Sequence, residues 1–397
     1  MQVAPVTGTE RIVTLDIIRG FALFGIFLVN MPTFHSPEFI RQMYGLPETL
    51  SPIDEGVRLF FDMFVQTKFY TMFSFLFGLG FYIFMTRAEQ RGMNVSRLFS
   101  RRLLGLLLFG LLHLIFLWYG DILHAYALMG FLLLLFYKRK NATVIGWAIG
   151  LTIWYALLLG TQLLLPATLL LEEQAIGQEK LAEARWIYQH APYGEWLSYR
   201  LQEEIPYVIG NVFAMILVLL PLFLIGLYTA RQGILHEPEK HRKLLIRVMW
   251  ITLLASLPLL ICIVLLQMEV LSFGPFQGII RQLFVTASGL TLCFFYISSL
   301  TLLVQKPAWQ KRLRPLGYVG QMALTNYLMQ TILSLLIIEV FDLYGRMGLA
   351  AGLLLCLLIF ALQVLVSSFW LKRFRFGPFE WLWRTMTYGY VQPLKGE

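Results

Sequence analysis

Apolar runs long enough to cross a bilayer recur along almost the whole chain, near 17–34, 60–84, 103–119, 122–137, 143–165, 206–229, 245–268, 279–304, 318–341 and 348–371. A helix needs about 20 such residues to span the hydrocarbon, whereas strands of a membrane barrel would show short alternating segments. Leu353 to Leu362 is apolar all round, and in Leu103 to Leu117 the one polar side chain is His113. The reading is an all-α, polytopic transmembrane helical bundle of about ten spans. Composition agrees, with 58% hydrophobic and 14% charged residues against roughly 25% charged in soluble domains. A soluble enzyme is excluded.

The net charge of +9 is distributed as a topology code, because Lys and Arg resist translocation. Basic loops follow spans two, four, six and eight, carrying Arg87, Arg91, Arg97, Arg101 and Arg102; Lys138, Arg139 and Lys140; Lys240, Arg242 and Lys243; and Lys306, Lys311, Arg312 and Arg314. The opposite loops are acidic, with Glu38, Glu48, Asp54 and Glu55 after span one and seven glutamates from Glu172 to Glu204 in the loop at 166–205. Both termini are therefore expected in the cytoplasm, and the charge gives no reason to expect nucleic acid. The 166–205 loop has helical spacing over Glu172 to Trp186 and is expected to lie on the outer surface. The apolar stretch after Arg19 has no small-residue cleavage site behind it and runs into Asn30 and Pro32, so it reads as a retained first span. Cys262, Cys293 and Cys356 lie singly in apolar runs and read as packing residues.

Polar groups inside such spans carry the functional information, since lipid excludes them unless they face the bundle interior. On span one, Asp16, Arg19 and Asn30 return to nearly one face and make a polar stripe roughly 21 Å long. His113 sits well inside span three, and the next turn carries Asp121 and His124; a carboxylate that orients an imidazole suits general-base chemistry. The same groups could tie two helices together by buried hydrogen bonds. His35, just past span one on the outer side, is a third candidate base. Asp121/His124 is the one pair at helical ligand spacing, so no metal is expected. Arg281 in span eight needs an acceptor or an anion. The Arg87 to Arg102 run suits either topology or a phosphorylated ligand, which Arg grips through its bidentate fork.

Four motifs then carry a resemblance: Arg11-x-x-x-Leu15-Asp16-x-x-Arg19-Gly20-Phe21-Ala22-Leu23-x-Gly25-Ile26-x-x-Val29-Asn30; Tyr119-Gly120-Asp121-Ile122-Leu123-His124-x-Tyr126-Ala127-Leu128; Gly320-Gln321-Met322-Ala323-Leu324-Thr325-Asn326-Tyr327-Leu328-x-Gln330; and Gly377-Pro378-Phe379-Glu380-Trp381-Leu382-Trp383-Arg384. Together they resemble YeiB-type bacterial membrane proteins, whose C-terminal half is a domain of unknown function. The Leu15-Asp16-x-x-Arg19-Gly20 opening and Asn30 are also similar, more distantly, to the transmembrane acyltransferases that include heparan-α-glucosaminide N-acetyltransferase. That resemblance implies a multi-pass protein of the bacterial plasma membrane that takes acyl-CoA from the cytoplasmic side and an extracytoplasmic acceptor hydroxyl or amine. It implies a catalytic base among His113, His124 with Asp121, and His35, and an acyl-CoA site drawn from Asp16, Arg19, Asn30, Arg101, Arg102 and Arg281. The expected organisation is an acyltransferase-like membrane half over 1–140, a connecting span and outer loop over 141–205, and a YeiB-type half over 206–397, in contact with membrane lipids and with a homodimer possible. The rival reading is a transporter or lipid-handling protein that uses the same polar stripe as a path.

Overall fold

The computed structural model describes residues 12–395; Arg11 of the first motif lies outside them. Among the described residues nine helical segments are long and apolar enough to cross a membrane. The first is α1 (Val13–His35). The second is one segment bent into α3 (Pro52–Phe64) and α4 (Lys68–Gln90), after the short outer helix α2 (Glu38–Met43). Then come α5 (Val95–Phe116), a shorter α6 (Leu123–Leu134) and α7 (Asn141–Thr161). The acidic loop folds as α8 (Ala167–His190), α9 (Tyr193–Tyr199), a π-helical turn over Arg200–Glu204 and α10 (Ile205–Gly210). The second half runs α11 (Val212–Arg231), α12 (Arg242–Gln267), α13 (Gln277–Val304), α14 (Pro307–Gln321), α15 (Ala323–Val340), α16 (Leu349–Trp370) and α17 (Pro378–Tyr388). The protein is an all-α membrane bundle.

Four expected spans differ from the observed elements: the 206–229 run is broken at Asn211, which separates α10 from α11, and three others differ for the following local reasons. The 60–84 run is broken at Val65 to Thr67, where Thr67 takes a left-handed φ of 67° and its hydroxyl donates to the Val285 carbonyl at 2.9 Å. The 318–341 run is broken at Met322, which separates α14 from α15. The 122–137 run yields a helix of 12 residues, roughly 18 Å long at 1.5 Å per residue, which is short of the ~30 Å hydrocarbon. The α5–α6 hairpin therefore turns within the bundle, and the helices of the 166–205 loop cover its tip. Tyr193 donates to the Phe116 carbonyl at 2.6 Å and Arg200 to the Ile115 carbonyl at 3.2 Å.

α1 is the central helix. It meets α14 at a crossing without side chains between the backbones: a Cβ at Gly20 would strike the Leu316 carbonyl, and one at Gly320 would strike the Asp16 carbonyl. Such close approach is how small residues join helices where lipid removes the hydrophobic drive. Peripheral helices turn large apolar side chains outward, among them Trp147 and Trp154 on α7, Trp250 and Ile261 on α12, and Leu358 on α16. These are the lipid-facing walls. The arginine-rich loops gather at one end of the bundle, where Arg231 donates to the Phe136, Tyr137 and Arg139 carbonyls at the close of α6; this is called the basic end, and the other the acidic end.

Candidate functional site

The short hairpin brings His113, Asp121 and His124 together in the bundle interior. Gly110 on α5 allows it, since a Cβ there would collide with the His124 backbone nitrogen. The Asp121 carboxylate is the hub: Oδ1 lies 2.9 Å from His113 Nδ1, and Oδ2 accepts from the His124 amide at 2.8 Å and lies 2.9 Å from His124 Nδ1. All three residues are buried, at 0%, 3% and 4% exposure. An ionised carboxylate only accepts, so each Nδ1 carries its proton and each Nε2 is the lone-pair nitrogen. His113 Nε2 lies 2.9 Å from the Thr331 hydroxyl of α15. His124 Nε2 is buried with no hydrogen-bond partner among the described residues. The arrangement is a carboxylate-oriented imidazole with its basic nitrogen buried and unpartnered.

A cavity of about 340 Å³ leads from the basic end toward this cluster, within the range of small-molecule sites. Its mouth holds Arg19, Arg87, Arg91, Arg102 and Arg384. Its throat is aromatic and aliphatic, with Phe73, Phe77, Phe81 and Phe84 of α4, and its far wall includes Ile122, Leu123, Tyr126 and Tyr327. From Arg87 to Phe73 the lining runs along α4 for roughly 21 Å of helical rise. Tyr327 joins cavity and cluster, its ring 5.2 Å from that of His113 and its hydroxyl accepting from the Ile122 amide at 3.4 Å.

The mouth is organised by α17, which lies across the basic end. Arg102 is held between Trp383, 3.7 Å from the ring centroid, and Phe84, at 5.0 Å, while the Trp383 indole donates to the Arg102 carbonyl at 2.7 Å. Glu380 accepts from the Leu324 and Thr325 amides at 2.6 and 3.0 Å and from the Thr325 hydroxyl at 2.6 Å. It thus caps the positive N-terminus of α15. Burial nevertheless raises its carboxyl above the ordinary range, against the lowering effect of these hydrogen bonds.

A family model described as a protein of unknown function (DUF418) matches residues 229–390. The chain is 34% identical to the uncharacterized protein YxaH of Bacillus subtilis, over 98% of this chain and 97% of the relative. It is 34% identical to an uncharacterized 39.9 kDa protein in the amylase 3' region of Bacillus acidopullulyticus, with the same coverage. It is 27% identical to the uncharacterized protein YeiB of Escherichia coli, over 95% and 96% of the two chains. The chain belongs to this YeiB-type family. No solved structure matches it. The four YeiB-type motifs, spread from residue 11 to 384, each supply part of one cavity wall: Asp16 and Arg19; Ile122 and Tyr126; Gln321 and Tyr327; Glu380 and Arg384.

The other residues expected at the site divide. Asp16 and Arg19 form an ion pair at 2.9 Å in the mouth, and Arg102 stands beside them in the lining. Arg101 and Asn30 are not among the lining residues; Arg101 donates to the Met386 carbonyl at 3.2 Å and anchors α17. Arg281 stands at the acidic end, ion-paired with Asp62 of α3, and does not meet Arg19 or Arg102. His35 stands apart from the triad with its buried imidazole against Gly352 of α16, although its neighbour Phe34 packs on Trp118 with ring centroids 4.7 Å apart. Thr331 and Lys68 are not singled out by sequence, and Glu380 and Arg384 enter there only as members of the fourth motif, without a role. Lys68 is fully buried, its ammonium donating to the Asp62 carbonyl at 2.7 Å and the Ser288 hydroxyl at 2.8 Å. A lysine inside an apolar run was itself the signal for that site. Among the described residues no group of three or more His, Cys, Asp and Glu side chains is arranged to hold a metal.

Proposed function

We propose that the protein is an acyl-CoA-dependent transmembrane acyltransferase of the bacterial plasma membrane, passing an acyl group to an acceptor hydroxyl or amine reached from the outer side. The observation that supports the reading is a cavity with an arginine-lined mouth whose far wall, at Ile122, Leu123 and Tyr327, adjoins the imidazole–carboxylate cluster, although His113, Asp121 and His124 do not themselves line it. The phosphates of the substrate rest against Arg19, Arg102 and Arg384, as bidentate guanidinium groups favour. The pantetheine arm follows the apolar throat. Near its far end the acceptor oxygen or nitrogen attacks the thioester carbonyl carbon, and His124 Nε2 takes the proton that the acceptor gives up. The carbon–sulfur bond breaks, and the same proton passes to the departing thiolate, so the overall exchange releases CoA thiol and no free proton. Asp121 orients the ring and balances the transient imidazolium. Walls of Phe and Leu restrain hydrolysis of the thioester.

The test is calorimetric titration of purified protein in nanodiscs with acetyl-CoA and longer acyl-CoA, with transfer followed by CoA release. Arg384→Ala or Arg19→Ala is expected to weaken binding about 10- to 100-fold, the range for a lost hydrogen bond to a charged group. His124→Gln is expected to bind normally and lose transfer. Absence of acyl-CoA binding, or gradient-driven flux in liposomes with no need of an acyl donor, would overturn the reading in favour of a transporter.

A further inference from the structure

We propose that α14 and the end of α16 form a binding site for the headgroup of an anionic phospholipid in the leaflet at the basic end. The inference is independent of the acyl-transfer reading and uses none of its residues. On α14, Trp309, Leu313, Leu316 and Gly320 recur at three and four residues and share one face, the spacing of an amphipathic helix. Gly320 is buried against α1, so that face seats the helix on the bundle. Lys311, Arg312 and Arg314 lie off it and are exposed, as is Lys306 just before the helix. α14 also packs on α16, which is followed by the exposed Lys372 and Arg373. Connectivity fixes the depth of this patch. Lys306 closely follows the membrane-spanning α13, and Lys372 closely follows the membrane-spanning α16, while the far end of α14 returns to the bundle at Gly320. The exposed half of α14 is therefore held at the headgroup level, where a lipid surface faces it.

These cations lack the partners that cations at the other end have. Arg41, Arg58, Lys180, Arg200 and Arg346 of the acidic end each meet a carboxylate. Among the described residues, Lys306, Lys311, Arg312, Arg314, Lys372 and Arg373 have neither an ion pair nor a side-chain hydrogen bond, and the sequence has no Asp or Glu between Glu269 and Glu339. What they have is aromatic support. Arg312 lies over the Trp309 ring at 5.2 Å, Arg314 over Tyr318 at 5.8 Å, and Lys372 over Phe369 at 4.9 Å. A guanidinium resting its face on a ring keeps its edge donors for an acceptor, and the anionic oxygens of a phosphodiester are such acceptors. Trp309, with an apolar ring and one N–H, is the residue type that gathers at the membrane–water boundary. The rule that places positive loops on one side of a membrane asks only for charge. An amphipathic helix whose cations are braced on rings goes beyond that demand, and it is the form that contacts with anionic lipid take.

The experiment is electron spin resonance of the full chain in phosphatidylcholine vesicles that carry a trace of spin-labelled phosphatidylglycerol or, separately, spin-labelled phosphatidylcholine. The motionally restricted fraction of each label gives their relative affinity. The unaltered protein is expected to prefer phosphatidylglycerol at least about fivefold, the effect of a single cation beside an anionic surface, and to lose much of that preference as salt is raised. The combined Lys306→Gln, Lys311→Gln, Arg312→Gln and Arg314→Gln variant is expected to lose most of the preference, with the restricted phosphatidylcholine fraction unchanged. A matched variant, Lys240→Gln, Arg242→Gln, Lys243→Gln and Arg247→Gln, removes as many charges from the same end and is expected to keep most of it. No preference in the unaltered protein overturns the site. Equal losses in the two variants overturn it too, because charge anywhere at that end would then suffice. Displacement of the restricted phosphatidylglycerol by inorganic phosphate, compared with chloride at the same ionic strength, would assign the patch to a soluble anion and overturn the lipid site.

Discussion

Asp121 is a buried carboxylate and Glu380 a half-buried one, and their partners give them opposite tasks. Asp121 faces two imidazoles that can change their charge. Glu380 faces amides and a hydroxyl that cannot, so it serves the α15 N-terminus. Glu380→Ala leaves the Leu324 and Thr325 donors without that acceptor, at an expected cost of about 1–3 kcal/mol. Glu380→Gln keeps one acceptor oxygen and is expected to fall between the two. Thermal unfolding of purified protein checks the order Glu380, Gln, Ala, and equal midpoints for all three contradict the capping role. The cap was not legible in the sequence, because Glu380 and its partners are more than 50 positions apart. The triad was legible, because Asp121 and His124 are local neighbours and His113 is the single polar side chain in its run. Arg281 was legible as a charge in need of an acceptor. Its acceptor, Asp62, lies on another element, so its distance from the cavity had to be seen.

At the scale of elements, the outer cap over the hairpin tip is polar and rests on few anchors. Glu204, in the π-helical turn, is buried at 5% exposure, accepts from the Tyr188 hydroxyl at 2.9 Å and lies 3.5 Å from Arg200, with Tyr119, Tyr199 and Tyr344 around it. Burial raises its carboxyl to about 7 from 4.5. The folded state therefore holds this proton over a range in which the unfolded chain has released it. By linkage, stability from this group is fully present below pH 4.5 and is lost as pH rises through about 7. Amide protection factors over Tyr193–Gly210, corrected for the intrinsic exchange rate, are expected to fall between pH 5 and pH 8. In Glu204→Gln they are expected to stay level, and an unaltered protein with a flat profile would remove Glu204 as a pH-dependent anchor of the cap. The cap helix itself was legible from its spacing. The shortness of α6 was not, because apolar residues continue past its end as turns through Phe136, and a hydropathy reading cannot separate a helix from an apolar turn.

At the scale of the whole molecule, the cavity makes the two halves of the chain one unit, since α1, α4, α5 and α6 supply one part of its wall and α15 and α17 the other. Its mouth shares the end at which the basic loops gather, so the orientation of the bundle decides which compartment can deliver a phosphorylated ligand. The charge rule predicts that this end faces the cytoplasm. Labelling with a membrane-impermeant maleimide tests this directly. Cys293 and Cys356 are buried and Cys262 lies within a membrane helix, so the native thiols give a low background. Cysteines placed at the exposed acidic-end positions Glu179 and Glu195 are expected to react in intact bacterial cells. Cysteines at the exposed basic-end positions Lys240 and Arg312 are expected to react only after the cells are opened. The reverse pattern would turn the mouth outward, where cytoplasmic acyl-CoA cannot reach it, and would remove the proposed donor even if every residue of the triad were catalytic.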